Sequence, residues 1–532
     1  MRSALTFSCV AAFLALGSWA TYWGDYRNDQ YQLINLGSCV YSGGRMYVDC
    51  WENKPPGMAW INAAGLAITG GDQFGAWILP GVVGAIAIVV FWLLLARVVS
   101  VQAARRGAII AALIASTRLY DAPSINPDFY SFSFELIAAS LFVGSFSAAS
   151  RWTCTALGTA AGLAWAAATG VKQVGCVGLI AVGIVALVAP AVERLRRRSA
   201  GTDTATAPSD TLRQDTLEPV RARNGMSARW IRATGAAIVG FAAGVAAIAA
   251  ILAFNGTLAE AWHAIGPFNA RYLPAAPADT AMYSWPRLRA ELGLLALPLW
   301  LGLLATIGTL RFGGERVSRP FVWAMLLWFL AAVPFALTGP SMAMRYWQSV
   351  WPPMLWLAAI GLDLLNDLYR KVEGRARLAA AVVLITVLVL LLRPFAFEYR
   401  HWLAEAYLSY SEHPNERERL ADMGRRLAEL VPAGERIYVW SYDVGPYVHA
   451  QRLPASRFTY PRSHEQMAEI FRVLEGGKAY AILVTPKPGP QFARLCDSAC
   501  EGRLQAILEG YTKAEDIGRY AVWIRPAAPG GG

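Results

Sequence analysis

The stretch AWILPGVVGAIAIVVFWLLL, residues 76–95, runs for 20 positions without a charged side chain. An α-helix rises about 1.5 Å per residue, so a run of this length covers the ~30 Å hydrocarbon layer of a bilayer. Nearly charge-free runs recur along the chain, at residues 233–254, 292–310, 321–337, 351–365 and 379–392. One such run can be a buried helix of a soluble protein, but the series predicts a polytopic α-helical membrane protein.

The amino-acid composition and the lengths of the apolar runs also indicate a membrane protein. The 532 residues are 55% hydrophobic and 16% charged, whereas an average soluble domain has roughly 25% charged residues. The runs predict about eleven spans, at residues 4–22, 74–96, 107–119, 131–149, 152–169, 174–193, 232–254, 291–311, 320–338, 350–366 and 377–394. The third span is short. The first also has the basic start and apolar middle of a cleavable signal peptide.

Clusters of Lys and Arg orient these spans. The formal net charge is +11, and the basic clusters follow even-numbered spans, at residues 104–107, 193–199, the tract up to Arg232, 311–319 and 369–377. Because Lys and Arg collect on the cytoplasmic side, the N-terminus is predicted inside the cell and the chain in the inner (plasma) membrane. Topology thus explains the basic charge without a nucleic-acid partner. The predicted outer segments are residues 23–73, 120–130, 170–173, 255–290, 339–349 and everything after about 395.

Two segments differ from the apolar series. Residues 199–225 are polar, rich in small residues and free of aromatic side chains, a composition typical of a disordered cytoplasmic linker.

After residue 395, an amphipathic helical stretch and short β-rich runs such as YAILVT and YAVWIR alternate, which predicts a small α/β domain. We therefore expect a transmembrane domain over residues 1–395 and an extracytoplasmic α/β domain over residues 396–532.

The cysteines agree with this topology. Cys39 and Cys50 share the first outer loop, and Cys496 and Cys500 share the C-terminal segment as CDSAC. Both pairs lie in the compartment where disulfides persist, so we expect two disulfides. Metal binding is the alternative for the second pair, although no histidine lies near it.

The first outer loop contains an unusual set of polar residues. Asn28 can cap a helix that starts at Asp29, with Asp25 just outside it. Lys54 precedes Pro55, which favours an extended backbone, so the rigid segment controls where one positive charge points. The alternatives are a lysine at the membrane interface with its ammonium in water and aspartates in a solvated loop.

The segment NDQYQLINLGSCVYSGGRMYVDCWENKPPGMAWINA, residues 28–63, resembles the first outer loop of the polyprenyl-phosphate-dependent GT-C glycosyltransferases. This group includes the protein O-mannosyltransferases and the bacterial transferase that adds aminoarabinose to lipid A. Further similar stretches follow in order: INPDFYSFSFELIAASLF (125–142), GVKQVG (170–175) and RYWQSVWPPMLWLAA (345–359). The resemblance therefore extends through the membrane part and implies a GT-C-like fold.

The resemblance also implies roles for particular residues. It implies that the donor is a sugar linked to a lipid phosphate, that Asp29 occupies the family's catalytic position and that Lys54 contacts the donor phosphate. Lys172 and Arg345 lie at the outer ends of other spans and are further candidates for phosphate binding, as charged residues at the membrane border often are. The secondary candidates are Asp25, Asp49, Asp128, Gln173 and Gln348.

Gln30 departs from the family pattern, which commonly has a second carboxylate at this position. A divalent metal held by paired acids would need Asp25 to compensate, and hence a helix that starts earlier. No other cofactor or metal ligand is predicted.

These residue types suit transfer from a phosphate-linked sugar. A carboxylate can take the proton of the acceptor hydroxyl, while Lys or Arg stabilises the departing phosphate. The predicted partners are a polyprenyl-phosphate-sugar donor, a glycolipid, polysaccharide or protein acceptor, and the lipid bilayer. Alternatives are a transporter or flippase of lipid-linked sugars and a catalytically inactive family member, and the sequence does not distinguish among sugars.

Overall fold

The computed structural model describes most of the chain. The described residues are 2–24, 28–117, 123–202, 213–271, 298–309, 319–338, 344–379, 415–459, 461–486 and 495–526, with isolated positions at 296, at 492 and between 381 and 404.

Helices make up most of the described chain up to residue 379. They include α1 (Arg2–Gly24), α2 (Asn28–Tyr41), α3 (Gly57–Ile68), α4 (Phe74–Leu95), α5 (Val101–Ala115), α6 (Pro127–Phe146), α7 (Arg151–Val171), α8 (Val177–Thr202), α9 (Arg213–Phe254), α10 (Leu258–His263), α11 (Arg319–Thr338) and α12 (Trp351–Lys371). Short 3₁₀ turns at Gln173–Cys176 and Met344–Val350 and a π turn at Ala264–Phe268 join some of them.

Five described helices are long and apolar enough to cross a membrane: Phe74–Leu95, Pro127–Phe146, Arg151–Val171, Ala228–Phe254 and Arg319–Ala336. Shorter apolar helices occur at Ala4–Trp19, Gly57–Ile68, Gln173–Val188 and Pro298–Thr309. The predicted class, a multi-pass helical membrane protein, is therefore confirmed. The number of eleven spans stays a prediction, since the runs at 291–311 and 377–394 are only partly among the described residues.

Local capping decides where several helices begin. Ser100 Oγ accepts a hydrogen bond from Ala103 N at 3.3 Å, so α5 starts earlier than the apolar run that predicted it. Asn126 Oδ1 accepts from Asp128 N at 2.8 Å, with Pro127 at the first helical position. Side chains of this kind satisfy backbone donors that the first helical turn leaves open.

Residues 199–225 differ from the expected disordered linker. α8 continues to Thr202 and α9 begins at Arg213, so the described parts of this segment are helical. Arg, Gln, Glu and Leu in the later part have good helix propensity, and this part is continuous with the helix of the apolar run that follows it. Residues 203–212 lie outside the described residues.

Small residues bring α7 and α9 into close contact. A Cβ atom added to Gly240 would lie 2.1 Å from the Thr159 carbonyl oxygen, and one added to Gly162 would lie 2.0 Å from that of Ala237. In a membrane, where apolar lipid competes with apolar side chains, such close backbone approach is a main source of helix association.

The C-terminal region, residues 415–526, contains a four-stranded sheet of order β1-β2-β4-β3. Its elements are α13 (Asn415–Leu430), β1 (Ile437–Trp440), α14 (Gly445–Ala450), α15 (His464–Glu475), β2 (Ala481–Val484), α16 (Ser498–Leu508), β3 (Thr512–Ile517) and β4 (Tyr520–Ile524). β1 and β2 are parallel, and the other pairs are antiparallel. A parallel pair requires a crossover, which α14 and α15 supply. The predicted boundary between residues 395 and 396 lies where only isolated positions are described.

Two hydrophobic cores organise the described residues. One lies among the membrane helices and includes Phe91, Trp165, Trp328 and Trp356. The other joins side chains from α2, α3 and the loop between them to the buried side chains of the C-terminal region. The C-terminal region therefore packs directly on the predicted first outer loop, where the predicted catalytic residues lie.

Candidate active site

The α2–α3 loop, residues 42–56, is held in shape by a disulfide and a buried tyrosine. Cys39 is bonded to Cys50, with Cα atoms 6.4 Å apart. Tyr47 has a φ of 74°, which is uncommon for a bulky residue and needs support from its surroundings. Its hydroxyl donates to the Lys54 carbonyl oxygen at 2.7 Å. Burial first, and the charge of Glu52 second, raise the pKa of Tyr47, so it stays a neutral donor that holds the backbone of the lysine.

Glu52 connects this loop to α2 and to the C-terminal region. Its Oε2 accepts from Gln32 Nε2 of α2 at 2.8 Å, and its Oε1 accepts from Asn53 N at 2.9 Å. Lys54 Nζ and Arg462 Nη2 each lie 3.2 Å from Oε1. Glu52 is thus a side chain with only 2% exposure between two cations.

Those cations control the ionisation of Glu52. Burial is the largest single effect and acts to raise its carboxyl pKa, but the charges of Arg462 and Lys54, together with the hydrogen bonds from Asn53 N and Lys54, outweigh it and hold the pKa below its ordinary value. Removing one partner of a buried ion pair typically costs about 3–5 kcal/mol. The Glu52 contacts therefore contribute to joining the loop to the C-terminal region.

Asp29 lies in the first turn of α2, where a carboxylate interacts favourably with the helix dipole. The Tyr442 hydroxyl of the C-terminal region donates to its Oδ1 at 3.3 Å. Two residues further, the Tyr31 hydroxyl lies 3.2 Å from His449 Nε2. The C-terminal region therefore contacts the helix of the predicted base at two places. Asp25 lies outside the described residues.

Lys172 and Asp128 form a second ionic pair, between the end of α7 and the start of α6. Their side chains are 15% and 3% exposed. Lys172 Nζ also lies 4.5 Å from the centre of the Tyr346 ring. That ring belongs to the Met344–Val350 turn, which contains Arg345 and the buried Gln348; the side chain of Arg345 lies outside the described residues.

Polar contacts join this pair to the α2–α3 loop. Gln173 Nε2 donates to the Asn53 carbonyl oxygen at 3.4 Å. Asn269, which follows the π turn, exchanges two hydrogen bonds of 2.7 Å with Asn53, from amide to amide and from amide to carbonyl oxygen. Side chains predicted from three separate motifs are therefore brought together at one end of the helices.

Asp49, another predicted site residue, has its described contacts with Arg45 and not with the residues around Glu52. Its Oδ2 accepts from Arg45 N at 2.8 Å and lies 3.3 Å from Arg45 Nε. It stabilises the exposed turn of the loop, and its described contacts do not join it to Glu52 or Lys54.

Sequence reasoning missed Glu52, Asn53, Asn269, Tyr442 and Arg462. The first two stand beside Lys54 in WENKPP, and a polar run before a rigid lysine could have identified them. Arg462 is separated from Glu52 by 410 positions, and no local pattern marks it.

No group of three or more His, Cys, Asp or Glu side chains among the described residues is placed to hold a metal ion. Gln30, which follows Asp29, is buried and supplies no second carboxylate.

Comparison with known proteins finds one matching family model and structures of similar fold. The family model for dolichyl-phosphate-mannose-protein mannosyltransferase matches residues 53–206. The structure of ArnT from Cupriavidus metallidurans bound to undecaprenyl phosphate superposes with a TM-score of 0.57 and 16% identity, over 98% of each chain. Archaeal AglB from Archaeoglobus fulgidus, an oligosaccharyltransferase in complex with an inhibitory peptide and a dolichol-phosphate, gives 0.53 and 14%, over 94% of this chain and 72% of AglB.

A search of curated proteins found no match. The two structural similarities establish the fold. Together with the family model, they confirm the resemblance to GT-C glycosyltransferases that the sequence motifs indicated.

Proposed function

We propose that this protein is a membrane glycosyltransferase that moves a sugar from a polyprenyl-phosphate donor to an acceptor hydroxyl at the outer face of the membrane. One observation carries the proposal. The predicted base Asp29 and the predicted phosphate ligands Lys54 and Lys172 belong to segments that polar contacts join at one end of the helices.

The first link runs through α2. Asp29 and Gln32 are three residues apart and lie on one face of this helix. Gln32 donates to Glu52, and Glu52 pairs with Lys54. The helix that carries the base and the loop that carries the lysine are thus joined through one carboxylate, Glu52.

The second link runs through α7. Gln173 follows Lys172 and donates to the carbonyl oxygen of Asn53, the residue before Lys54. Two lysines, one on the α2–α3 loop and one at the end of α7, can therefore approach one phosphate. Cations held in place before the reaction stabilise charge that develops on a leaving group without the cost of reorienting water.

The reaction needs one bond to form and one to break. The acceptor oxygen bonds to the anomeric carbon of the sugar while the bond from that carbon to the phosphate oxygen breaks. The bonding electrons leave with the phosphate, where Lys54 and Lys172 balance the new negative charge, and Arg345 is a further ligand. Asp29 takes the acceptor proton, so charge and atoms balance at each step.

The membrane topology is part of the proposal. Segments predicted to be outside supply Asp29, Lys54, Lys172, Asn269 and the C-terminal region, and contacts between them place all of these at one end of the helices. This supports an extracytoplasmic active site, an N-terminus in the cytoplasm and an extracytoplasmic domain over residues 396–532. The acceptor is then a glycolipid, polysaccharide or protein of the cell envelope.

Release of polyprenyl phosphate tests the proposal. Purified full-length protein in nanodiscs is mixed with polyprenyl-phosphate-linked mannose, arabinose or galactose and with a cell-envelope extract as the source of acceptor. We expect polyprenyl phosphate to appear with one of these donors and to disappear with Asp29→Asn. Release by Asp29→Asn at the wild-type rate, or intact donors throughout, would contradict the proposal.

A further inference from the structure

Arg462 brings a guanidinium group from the C-terminal region into the α2–α3 loop. Its Nη1 donates to Asn53 Oδ1, and its Nη2 lies 3.2 and 3.5 Å from the two carboxylate oxygens of Glu52. The guanidinium carbon is 5.9 Å from the centre of the Trp51 ring. The Arg462 side chain is only 9% exposed and contacts three consecutive loop residues. It therefore forms a largely buried contact and not a surface ion pair.

Lys54 competes with Arg462 for the same carboxylate. Both cations lie 3.2 Å from Glu52 Oε1. Their surroundings differ, since the Lys54 side chain is 35% exposed and that of Arg462 only 9%. Arginine, with a planar fork and weak hydration, suits a buried carboxylate, whereas a lysine on a flexible stem can turn outward.

We propose that Arg462 is a positioning residue for the donor: it neutralises Glu52 and thereby keeps Lys54 available for the donor phosphate. The C-terminal region is then part of the donor site and not only a domain attached to it. This inference rests on the proposed function, in which Lys54 is a phosphate ligand.

The physical reason is that a buried carboxylate keeps a cation close. An ionised group with 2% exposure cannot be left uncompensated without a large cost. Without Arg462, the cation that remains beside Glu52 among the described residues is Lys54. Glu52 and the phosphate would then compete for the ammonium group of Lys54, and the affinity for the donor would fall.

Two substitutions separate this role from a merely structural one. We expect Arg462→Gln to weaken polyprenyl phosphate binding roughly 5- to 150-fold, the usual range of coupling between sites, while the rate at saturating donor stays unchanged. Adding Glu52→Gln should restore the affinity, because no buried anion then holds Lys54. A role in folding alone gives no such recovery, since the second substitution removes a further charged contact.

Arg457 provides the matched control. It also joins the C-terminal region to the loop, through a 3.1 Å hydrogen bond from Nη1 to the Tyr47 carbonyl oxygen, but its ion pair is with Glu469. Arg457→Gln should lower the melting temperature and leave the affinity for polyprenyl phosphate unchanged. Equal losses of affinity in Arg457→Gln and Arg462→Gln, or no recovery in the double variant, would overturn the inference.

The measurement uses full-length protein in nanodiscs, with polyprenyl phosphate titrated alone and donor turnover measured separately. If Arg462→Gln does not fold, Arg462→Met serves, because it removes the charge and keeps much of the apolar stem; a weakened affinity that added Glu52→Gln restores supports the inference, and wild-type affinity overturns it. Binding that follows these expectations in a protein without turnover would contradict the transfer reaction and keep the role of Arg462. Turnover in a protein whose affinity for polyprenyl phosphate is unchanged by Arg462→Gln would support the transfer reaction and overturn the role of Arg462.

Discussion

Gln32 Nε2 donates a hydrogen bond to Glu52 Oε2 over 2.8 Å and so joins the helix that carries Asp29 to the loop that carries Lys54. Gln32 and Glu52 are both buried, where a hydrogen bond to a charged group contributes about 1.5–3 kcal/mol. A buried contact therefore joins the helix of the predicted base directly to the loop of the predicted phosphate ligand.

Asp29 and Lys54 should show different defects. Asp29→Asn keeps the shape of the side chain and removes its basicity, so we expect the single-turnover rate to fall about 10²–10⁴-fold with donor affinity preserved. Lys54→Ala should mainly weaken donor affinity, and Lys54→Arg should recover it only in part because the guanidinium is larger and planar. Donor titration and single turnover in nanodiscs measure both.

Asp25→Asn is the control for those variants, since Asp25 is assigned a secondary role. We expect it to keep most of the activity. If Asp25→Asn is inactive while Asp29→Asn is active, the base lies one helical turn earlier than proposed.

The topology predicts opposite accessibility of two positions. In a background where Cys9, Cys154 and Cys176 are replaced by Ser, Asp210→Cys should resist an impermeant thiol reagent in intact cells. Lys478→Cys, at an exposed position of the C-terminal region, should react. Labelling at position 210 in sealed cells would place the active site on the other side of the membrane.

The disulfide between Cys39 and Cys50 should be present in protein isolated from cells. Closing a loop of this size typically adds roughly 2–4 kcal/mol, so Cys39→Ser with Cys50→Ser should lower the melting temperature. Mass spectrometry without reduction should find the two peptides linked. Free thiols at both positions would refute the pairing.

Glu52 should give the folded protein a defined pH dependence. Its pKa lies below the ordinary value of 4.5, so its contribution to stability is fully present above that value and is lost as the pH falls through the folded-state pKa. The difference in melting temperature between wild type and Glu52→Gln should therefore shrink upon acidification. A difference that stays constant down to about pH 3 would show that Glu52 does not titrate as stated.

Close packing of α7 and α9 predicts an unequal response to added methyl groups. Gly240→Ala would place its Cβ atom 2.1 Å from the Thr159 carbonyl oxygen, and overpacking of this kind typically costs about 1–3 kcal/mol. Gly183→Ala, where a Cβ atom meets nothing within 4 Å, is the control and should be neutral or slightly stabilising. Equal melting temperatures for the two variants would contradict this packing.

The helical membrane class could be predicted because it depends on local chemistry. A charge-free run such as 76–95 must bury its backbone polar groups in a helix wherever the chain lies in a bilayer. The described helix starts at Ser100 and Asn126 likewise depend on a side chain and a backbone donor a few positions apart. Resemblance to a family added Asp29 and Lys54 as site residues, since their motif is contiguous in the sequence.

By itself, then, the sequence determined the helical membrane class, the α/β character of the C-terminal region and the motifs that contain the predicted base and lysines. Only the tertiary structure decided which charges face one another: Arg462 meets Glu52 across 410 positions, and Tyr442 meets Asp29 across 413. The physical reason is that a buried ion pair depends on where two distant segments pack. No periodicity or spacing in either segment encodes its partner, so the sequence indicated Lys54 but not the arginine that shares its carboxylate.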